Sequence, residues 1–271
     1  MSPSKVCEQL GRGRTAFGTC LHFADPAAYE MTASLGLDAI WMDLEHHAVS
    51  DAHAGELIRA ARAGGPTDIV VRPGKGEFAR AARLLEAGAH GIMYPRCQSP
   101  EEAAELVRWT KFAPLGERGF DGANADSDYM GRPMVDYLTR ANANTFIIVQ
   151  VEDEQSVARC HEIIAVDGVD MLMLGPADLT VLSGRPGAFD HPRVAEAQRR
   201  VAAEAKIAGK HWASTSMSLD HARQLAQMGA SLVFHGADVV IVRREMTAIR
   251  DALCHASGGP SAAATEVARR A

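Results

Sequence analysis

Short runs of apolar residues alternate along the chain with longer segments of helical periodicity. Most of these runs are four to six residues long and apolar nearly throughout, which is the pattern of parallel strands buried on both faces. The runs that predict strands are Ala16–Leu21, Asp38–Asp43, Ile69–Arg72, Gly91–Tyr94, Phe146–Glu152, Met171–Leu174, His211–Ser214 and Ser231–His235.

Between the runs, apolar residues recur at the spacing of an amphipathic helix. Several of these segments end in glycine beside other small residues, as in Ala63-Gly64-Gly65 and Met228-Gly229-Ala230. Glycine adopts the positive φ that a helix C-cap often requires. The segments that predict helices are Asp51–Ala63, Phe78–Ala87, Pro100–Lys111, Glu154–Ala165, His191–Ala208 and Leu219–Met228.

Eight predicted strands that alternate with helices indicate an α/β protein with a closed parallel sheet, the (β/α)8 or TIM barrel. An open doubly wound sheet is disfavoured because no GxGxxG motif follows the first strand. We expect one domain over residues 1–256. Residues 257–271 are rich in alanine, glycine and serine and end in a pair of arginines before the last alanine, so they predict a flexible C-terminal tail.

One interval, residues 113–144, interrupts the alternation of strands and helices because it contains no predicted strand. Its first part, Pro114–Asp126, is rich in glycine and polar residues. Long irregular connections inside compact domains are often functional. Because this one comes after the fourth predicted strand, we expect it to lie over the catalytic mouth of the barrel.

The amino-acid composition argues against several classes of function. Hydrophobic residues make up 47% of the 271 residues and charged residues 23%, which suits a sizeable core. The formal net charge of −6, without a long basic run, argues against nucleic-acid binding and electrostatic membrane docking. No apolar run approaches 18 residues, and the five scattered cysteines indicate free thiols. The expected location is therefore the cytoplasm, without a membrane span.

Side chains at the carboxyl ends of barrel strands converge on one mouth, so polar residues there are candidates for a site. Two of them, Glu152 and Asp178, offer the carboxylate oxygens that Mg²⁺ or Mn²⁺ prefers. Arg72 could stabilise an oxyanion, and His46 could move a proton. The full set is Asp43, Glu45, His46, Arg72, Gln150, Glu152 and Asp178.

Taken singly, each of these residues has an ordinary structural explanation. Asp43 could face solvent, Arg72 could form an ion pair at a strand end, and Asp178 could cap a helix. His47 is interpreted as a solvated loop residue. What favours a site is the convergence of complementary residue types at successive strand ends. Other histidines near strands, to which we assign no role, are His22, His90, His211 and His235.

Taken together, these residues resemble the HpcH/HpaI family of class II pyruvate aldolases, over roughly Ala16 to Glu245. Any one of the shared motifs is weakly specific, but their order along the chain is specific. In this chain the motifs read Asp43-Leu44-Glu45-His46, Val71-Arg72-Pro73, Pro114-Leu115-Gly116-Glu117-Arg118-Gly119, Gln150-Val151-Glu152 and Gly175-Pro176-Ala177-Asp178-Leu179.

The resemblance implies catalytic roles. Glu152 and Asp178 would hold the divalent metal, for which Co²⁺ is a third candidate after Mg²⁺ and Mn²⁺. His46 would be the acid/base, oriented by Asp43, and Arg72 would contact the keto oxygen of pyruvate as it becomes an enolate. No lysine stands among the matched positions, which favours metal chemistry over an imine.

The resemblance also implies a substrate-binding set and an assembly. Gln150 joins Arg72 in it, and backbone amides near Ala177 and Asp178 would receive the substrate carboxylate, as helix-start amides do. Gly122, in the glycine-rich connection, completes the set. The implied assembly is a homo-oligomer, a trimer or hexamer, with C-terminal helices exchanged between subunits.

Two features depart from common members of the family. Asp121, Asn124 and Asp126 make the long connection unusually polar and acidic. Trp41 precedes Asp43 and His46 with the spacing found in the related macrophomate synthase. Both departures bear on the identity of the second substrate. The Trp41 motif also keeps oxaloacetate decarboxylation open as an alternative reaction.

The sequence therefore predicts a carbon–carbon lyase that cleaves a 4-hydroxy-2-oxo acid, such as a 2-keto-3-deoxy sugar acid, to pyruvate and an aldehyde through a metal-bound enolate. The alternatives are an oxaloacetate decarboxylase, a CoA-thioester lyase on the same barrel, against which the acidic connection argues, and a non-catalytic binding barrel. If the connection covers the mouth, its acidic and amide side chains favour neutral, hydroxylated aldehydes over carboxylate-bearing ones.

Overall fold

The computed structural model describes residues 3–256 of the chain, which form one closed barrel of eight parallel strands. The strands pair in chain order, and Ala16 in the first strand pairs with Leu232 in the last to close the ring. The strands are β1 (Ala16–Leu21), β2 (Ala39–Asp43), β3 (Asp68–Arg72), β4 (Gly91–Tyr94), β5 (Phe146–Val151), β6 (Met171–Leu174), β7 (His211–Ser216) and β8 (Leu232–Ala237).

Helices surround this barrel, and several begin at a side-chain cap. The hydroxyl groups of Ser50, Ser99 and Ser218 each accept a hydrogen bond from the backbone amide three residues later. The helices within the described range are α1 (Lys5–Gly11), α2 (Pro26–Ser34), α3 (Asp51–Gly64), α4 (Phe78–Glu86), α5 (Pro100–Thr110), α6 (Met134–Asn144), α7 (Glu154–Ala158), α8 (Cys160–Ile164), α9 (Pro176–Leu182), α10 (Pro192–Ile207), α11 (Leu219–Gln227) and α12 (Asp238–Ala256).

The prediction of a single-domain (β/α)8 barrel is confirmed. Each predicted strand overlaps an observed strand, with ends that differ by at most two residues. The predicted helix Glu154–Ala165 is two short helices that meet at Arg159, and α1, α2, α6, α9 and α12 were not predicted. The predicted tail, residues 257–271, lies outside the described residues. Within residues 3–256, no helix is both long and apolar enough to cross a membrane.

The apolar side chains form two layers on either side of the sheet. In β2, Ala39 and Trp41 belong to the cluster inside the barrel, while Ile40 and Met42 belong to the larger cluster between the sheet and the helices. Successive strand residues point to opposite faces, so each strand contributes to both layers. This explains why the strands appear in the sequence as unbroken apolar runs.

Helix α1 covers the end of the barrel at which the strands begin. The Ser4 hydroxyl donates to Asp68 Oδ2 at 2.6 Å, and the amide of Val6 donates to the same oxygen at 2.9 Å. Asp68 is the first residue of β3, and the fully buried Val6 packs into the cluster inside the barrel. The barrel is therefore closed at this end.

The long connection, residues 111–133, also lies at the end where the strands begin. The amide of Asp126 donates to the carbonyl oxygen of Glu86, the last residue of α4, at 3.2 Å. Lys111 Nζ donates to the carbonyl oxygen of Thr145, just before β5, at 2.5 Å. The expectation that the connection covers the catalytic mouth is wrong for its own barrel, because α5 carries the chain away from the mouth first.

Candidate active site

A cavity of about 190 Å³ opens at the carboxyl ends of the strands and contains most of the predicted site. β5 supplies Gln150, and Glu152 directly follows that strand, while β3 ends at Arg72. α9 begins at the rim of the cavity. The lining residues used below are Trp41, Arg72, Gln150, Glu152, Gly175, Ala177, Asp178 and Thr215.

Arg72 and Asp43 form a two-pronged ion pair on neighbouring strands. The two residues are directly paired in the register of β2 and β3. Arg72 Nε lies 3.0 Å from Asp43 Oδ1, and Nη2 lies 2.8 Å from Oδ2. The guanidinium also lies 4.6 Å from the ring centroid of Trp41. The two hydrogen bonds to Asp43 and the stacking on Trp41 together fix the plane of the guanidinium group. A lysine ammonium could not make both interactions.

The ion pair also determines the charge state of Asp43. Burial raises the pKa of the Asp43 carboxyl, but the hydrogen bonds and charge of Arg72 outweigh burial, so the pKa lies below its ordinary value. Asp43 is therefore a carboxylate at neutral pH.

Glu45 extends this pair into a chain of alternating charges along the rim. Its Oε1 lies 3.1 Å from Arg96 Nη2, and its Oε2 lies 3.4 Å from Arg72 Nε and 3.5 Å from His46 Nε2. The Glu45 side chain is buried, so its charge is stabilised mainly by these partners. Asp43 and Glu45 are thus both compensated by arginines.

Glu152 is buried and held in one orientation by backbone. Its Oε2 accepts a hydrogen bond from the amide of Arg96 at 2.9 Å, and Arg96 has a left-handed φ of 47°. A β carbon at residue 175 would stand only 1.9 Å from Glu152 Oε1. Glycine at residue 175 therefore makes the space that this carboxylate occupies.

The surroundings of Glu152 disfavour its charge. Its pKa is raised to about 7, mainly by burial and also by the charges of Asp178 and Glu45. The amide of Arg96 and the charge of Arg72 act in the opposite direction but do not compensate. A carboxyl that needs a cation to stay ionised at neutral pH is suited to binding a metal.

The donor set fits a hard divalent cation. Neither Glu152 nor Asp178 forms an ion pair with any side chain in residues 3–256, unlike Asp43 and Glu45. Gln150 Oε1 is buried without a hydrogen-bond partner in the same cavity. Among the described residues, no three His, Cys, Asp or Glu side chains converge as a complete metal cluster. Two carboxylates would leave coordination positions for substrate and water.

The two predicted backbone donors, at Ala177 and Asp178, lie in the first turn of α9. The helix begins with Pro176, and its N-cap residue Gly175 provides no side-chain hydrogen bond. Amide groups in a first helical turn have no partner inside the helix. Their position at the rim of the cavity is compatible with binding a substrate carboxylate.

The two adjacent histidines are placed differently from expectation. The His46 side chain is 57% exposed and faces Glu45, whereas His47 Nδ1 lies 3.5 Å from Asp43 Oδ2. The ring of His47 also packs against His22, with centroids 5.0 Å apart. Asp43 and His46, which the resemblance pairs, do not contact each other directly in this structure, because the Asp43 oxygens accept hydrogen bonds from Arg72 and from the amide of Glu45. His47 is not a freely solvated residue.

Gly122 is not brought together with the other predicted residues. It lies in the long connection and borders a separate cavity of about 270 Å³, at the opposite end of the barrel. In that connection Asp126 is fully buried, and its Oδ2 accepts hydrogen bonds from Arg118 at 3.1 Å and from the Tyr137 hydroxyl at 2.9 Å. Asp126 therefore stabilises the connection itself.

The other polar residues of the connection are engaged locally as well. Asp121 Oδ1 accepts from the amide of Ala123 at 3.1 Å, and Asn124 Oδ1 accepts from the amide of Ser127 at 3.0 Å. The acidity of this segment therefore provides no argument about the acceptor, or against a CoA thioester, at the mouth of its own barrel.

Sequence reasoning missed several residues that the structure brings to the mouth. Arg96 follows β4, His22 follows β1, and Gly175 follows β6. Taking the first polar residue or glycine after every strand would have included all three. What could not be read from the sequence is which charges pair, since that depends on backbone dihedrals such as that of Arg96.

Comparison with known proteins agrees with this fold. The family model described as HpcH/HpaI aldolase/citrate lyase matches residues 17–244. The chain belongs to this family, and the protein is accordingly a carbon–carbon lyase. A hydroxypyruvate/pyruvate aldolase of Sagittula stellata is 34% identical, covering 89% of this chain and 94% of the relative. A 4-hydroxy-2-oxo-heptane-1,7-dioate aldolase of Escherichia coli is 30% identical, covering 89% and 91%.

Solved structures share the barrel. An HpcH/HpaI aldolase/citrate lyase family protein of Burkholderia cenocepacia has a TM-score of 0.84 and 34% identity, covering 94% of this chain and 99% of that one. Macrophomate synthase, at 24% identity and a TM-score of 0.82 over 94% and 89%, shares the fold, as expected from the Trp41 motif. The CitE protein of Mycobacterium tuberculosis, solved with magnesium and pyruvate, has 20% identity and a TM-score of 0.54 over 82% and 86%.

Proposed function

We propose that the protein is a divalent-metal-dependent aldolase that reversibly cleaves a 4-hydroxy-2-oxo acid to pyruvate and an aldehyde. The observation that carries the proposal is the pair of uncompensated carboxylates, Glu152 and Asp178, beside the fixed guanidinium of Arg72. The aldolase names of the relatives and the magnesium and pyruvate in CitE support it. Oxygen donors alone favour Mg²⁺ or Mn²⁺ over softer metals.

When bound, the cation would act as a Lewis acid on the keto and carboxylate oxygens of the 2-oxo acid. Arg72, held by Asp43 and stacked on Trp41, is preorganised to stabilise negative charge on the keto oxygen. The amides of Ala177 and Asp178, with the unpartnered Gln150 Oε1 nearby, orient the donor.

In cleavage, the bond between C3 and C4 breaks and its electron pair passes to the pyruvate enolate. The C4 hydroxyl loses its proton to His46, and the aldehyde departs. A proton returned to C3 completes pyruvate. In the reverse direction the enolate carbon attacks the aldehyde, and His46 protonates the new alkoxide.

Aldol cleavage is preferred to the two other lyase reactions, oxaloacetate decarboxylation and CoA-thioester cleavage. Oxaloacetate decarboxylation would use the same cavity and the same developing charge, but the relatives are named for aldol chemistry. Cleavage of a CoA thioester would require a binding site for a large nucleotide, and none of the residues described above forms such a site.

The experiment that tests the proposal is exchange of the pyruvate methyl protons with D₂O, followed by NMR with and without Mg²⁺ or Mn²⁺. The expected result is exchange that requires a divalent ion and is lost in Asp178→Asn. Asp167→Asn, which changes an exposed carboxylate away from the mouth, should exchange normally. Absence of exchange with every divalent ion tested would contradict the proposal.

We also propose that the chain assembles as a homo-oligomer, a trimer or hexamer. The 19-residue helix α12 has no buried residue. It leaves Val240, Met246, Ile249 and Leu253 more than half exposed. An apolar helix surface of this kind usually marks a protein contact. Light scattering coupled to size exclusion would measure the subunit number, and a monomer at micromolar concentration would contradict the proposal.

A further inference from the structure

Arg96 adopts a backbone conformation that is unfavourable for an arginine. Its φ of 47° lies in the left-handed region, which a residue with a β carbon enters only at an energetic cost. The backbone amide of Arg96 donates to Glu152 Oε2 at 2.9 Å, and a glycine could provide that amide without the cost. The long charged side chain at this position therefore needs an explanation of its own.

The Arg96 guanidinium pairs with a carboxylate that is much more buried than itself. Its Nη2 lies 3.1 Å from Glu45 Oε1, and the Glu45 side chain is 6% exposed while that of Arg96 is 49% exposed. Within residues 3–256, the other ion-pair partners of Glu45 are Arg72 and His46, of which the histidine is charged only when protonated. A buried carboxylate has lost most of its water, so it depends on these cations.

Glu45 and Asp43 both act on the guanidinium of Arg72. Asp43 forms two hydrogen bonds with Arg72, and Glu45 Oε2 lies 3.4 Å from Arg72 Nε. Burial lowers the pKa of Arg72, but Asp43 and Glu45 together raise it above its ordinary value, so the charge of Glu45 is felt at Arg72. Without Arg96, the single positive charge of Arg72 would face two carboxylates.

The sum of these charges matters at the keto oxygen of the donor. Two carboxylates and two guanidinium groups cancel, whereas the same group without Arg96 carries one net negative charge. A 2-oxo acid already brings a carboxylate, and enolate formation adds a second negative charge beside Arg72. Uncompensated negative charge nearby would disfavour that step more than it disfavours binding of the substrate.

We propose that Arg96 is a positioning residue for enolate formation, which neutralises Glu45 and so leaves the charge of Arg72 available to the keto oxygen. The inference rests on the proposed function, because the enolate belongs to that reaction. Arg96 is not among the described residues that line the donor cavity, so it acts through Glu45 and Arg72 and not by touching the substrate.

Arg96→Gln tests the proposal, because it removes the charge and leaves the backbone amide in place. The readout is exchange of the pyruvate methyl protons with D₂O in the presence of Mg²⁺, which needs no aldehyde. Its kcat/KM should fall roughly five- to tenfold, the effect of one unit charge screened by solvent at the rim. Arg96→Lys keeps the charge and should retain most of the rate. Arg12→Gln removes an arginine of similar exposure, 54%, at the closed end of the barrel and should exchange normally.

Magnesium affinity separates an electrostatic role from a structural one. Titration calorimetry of Arg96→Gln should give Mg²⁺ binding that is equal to or tighter than that of the wild type. The reason is that a positive charge has been removed from the surroundings of a dication, while the amide that orients Glu152 remains. A variant that simply damages the mouth would lose metal affinity and exchange together, and that result would overturn the inference.

A double-mutant cycle with Glu45→Gln tests the route through Glu45. Once Glu45 is neutral, removal of the Arg96 charge should cost little, so the double variant should exchange about as fast as Glu45→Gln alone. An equal loss from Arg96→Gln in both backgrounds would overturn the inference, as would normal exchange in Arg96→Gln. Missing exchange in the wild type with every divalent ion would overturn the proposed function, and the inference with it.

Discussion

The carboxylate of Glu152 lies directly over the backbone of Gly175, so close that a β carbon on residue 175 would stand 1.9 Å from Glu152 Oε1. Glu152 cannot move aside easily, because its other oxygen accepts from the amide of Arg96 and the side chain is 2% exposed. The glycine is thus part of the candidate metal site, although it has no side chain.

Gly175→Ala should therefore displace the metal ligand without changing the ligand itself. We expect loss of Mn²⁺ affinity and a fall in kcat of about 100-fold or more, since an ångström of displacement at a reacting centre costs that much. Titration calorimetry and aldol turnover are the measurements. Gly119→Ala, where an added methyl meets no atom within 4 Å, is the matched control. Normal metal affinity in Gly175→Ala would show that Glu152 is not a ligand.

Glu152→Gln should raise the stability of the metal-free protein at alkaline pH. Folding raises the Glu152 pKa from 4.5 to about 7, so the buried charge costs nothing below the unfolded pKa, and its full cost is present above about pH 7. That cost is on the order of 3 kcal/mol. Melting temperature in EDTA should thus increase in the variant at pH 8 and match wild type near pH 4.5.

The same variant should lose the increase in melting temperature that Mn²⁺ gives the wild type, because a neutral amide replaces the charged ligand. Stabilisation and loss of metal response have one cause, an ionised carboxylate in a buried site. A variant less stable than wild type at pH 8 in EDTA would contradict the charge assignment.

His46→Ala and His47→Ala distinguish the acid/base from its neighbour. We expect His46→Ala to lower kcat by about 10²–10⁴-fold, the usual effect of removing a positioned acid/base. His47→Ala should lower it far less, because His47 packs against His22 and only faces the Asp43 carboxylate. Steady-state rates at saturating pyruvate are the measurement. The opposite order would assign proton transfer to the histidine that faces Asp43.

Arg72→Lys should lower kcat/KM for aldol cleavage by about 10²–10³-fold, comparable to the loss of one oxyanion donor. A lysine ammonium cannot form both bonds to Asp43 and stack on Trp41 at once. Metal affinity should remain near normal, because Glu152 and Asp178 are unchanged. Lys75→Arg, a charge-conserving change in the loop after β3, is the control. Near-normal turnover in Arg72→Lys would show that positive charge suffices without the fork.

The strands could be predicted because burial on both faces leaves a pattern that is visible at every position, as in Ile69–Arg72. α12 gave no such pattern, since it has no buried residue and its apolar positions reflect no contact within the chain. α2 was missed because its apolar residues have weak helical periodicity, although Tyr29 and Ala33 are buried in the core. A buried face was therefore not enough by itself to make a helix visible in the sequence.

The residues of the mouth could be named from the sequence, but their pairing could not. Asp43 and Arg72 end their strands, Glu152 and Asp178 come after theirs, and all parallel strands of a barrel end together. That Glu45 would join two arginines depends on the left-handed backbone at Arg96, which no neighbouring residue predicts.

The long connection was predicted at the wrong end of the barrel, and the sequence itself contains the information that shows why. The predicted helix Pro100–Lys111 lies between β4 and the connection, and a helix that packs beside a parallel strand returns the chain to the strand's starting end. Counting the changes of chain direction as well as the strands would have placed residues 111–133 correctly.

Because α1 closes the barrel at Val6 and Ser4, solvent can approach the reacting carbon from only one direction. An enolate formed at the mouth has two fates, protonation by water or attack on an aldehyde, and both reagents must enter by the same opening. An aldehyde seated over Arg72 and Trp41 would then shield the enolate from water simply by occupying that opening. Whether the enolate is protonated or forms a carbon–carbon bond therefore depends on whether an aldehyde occupies that opening.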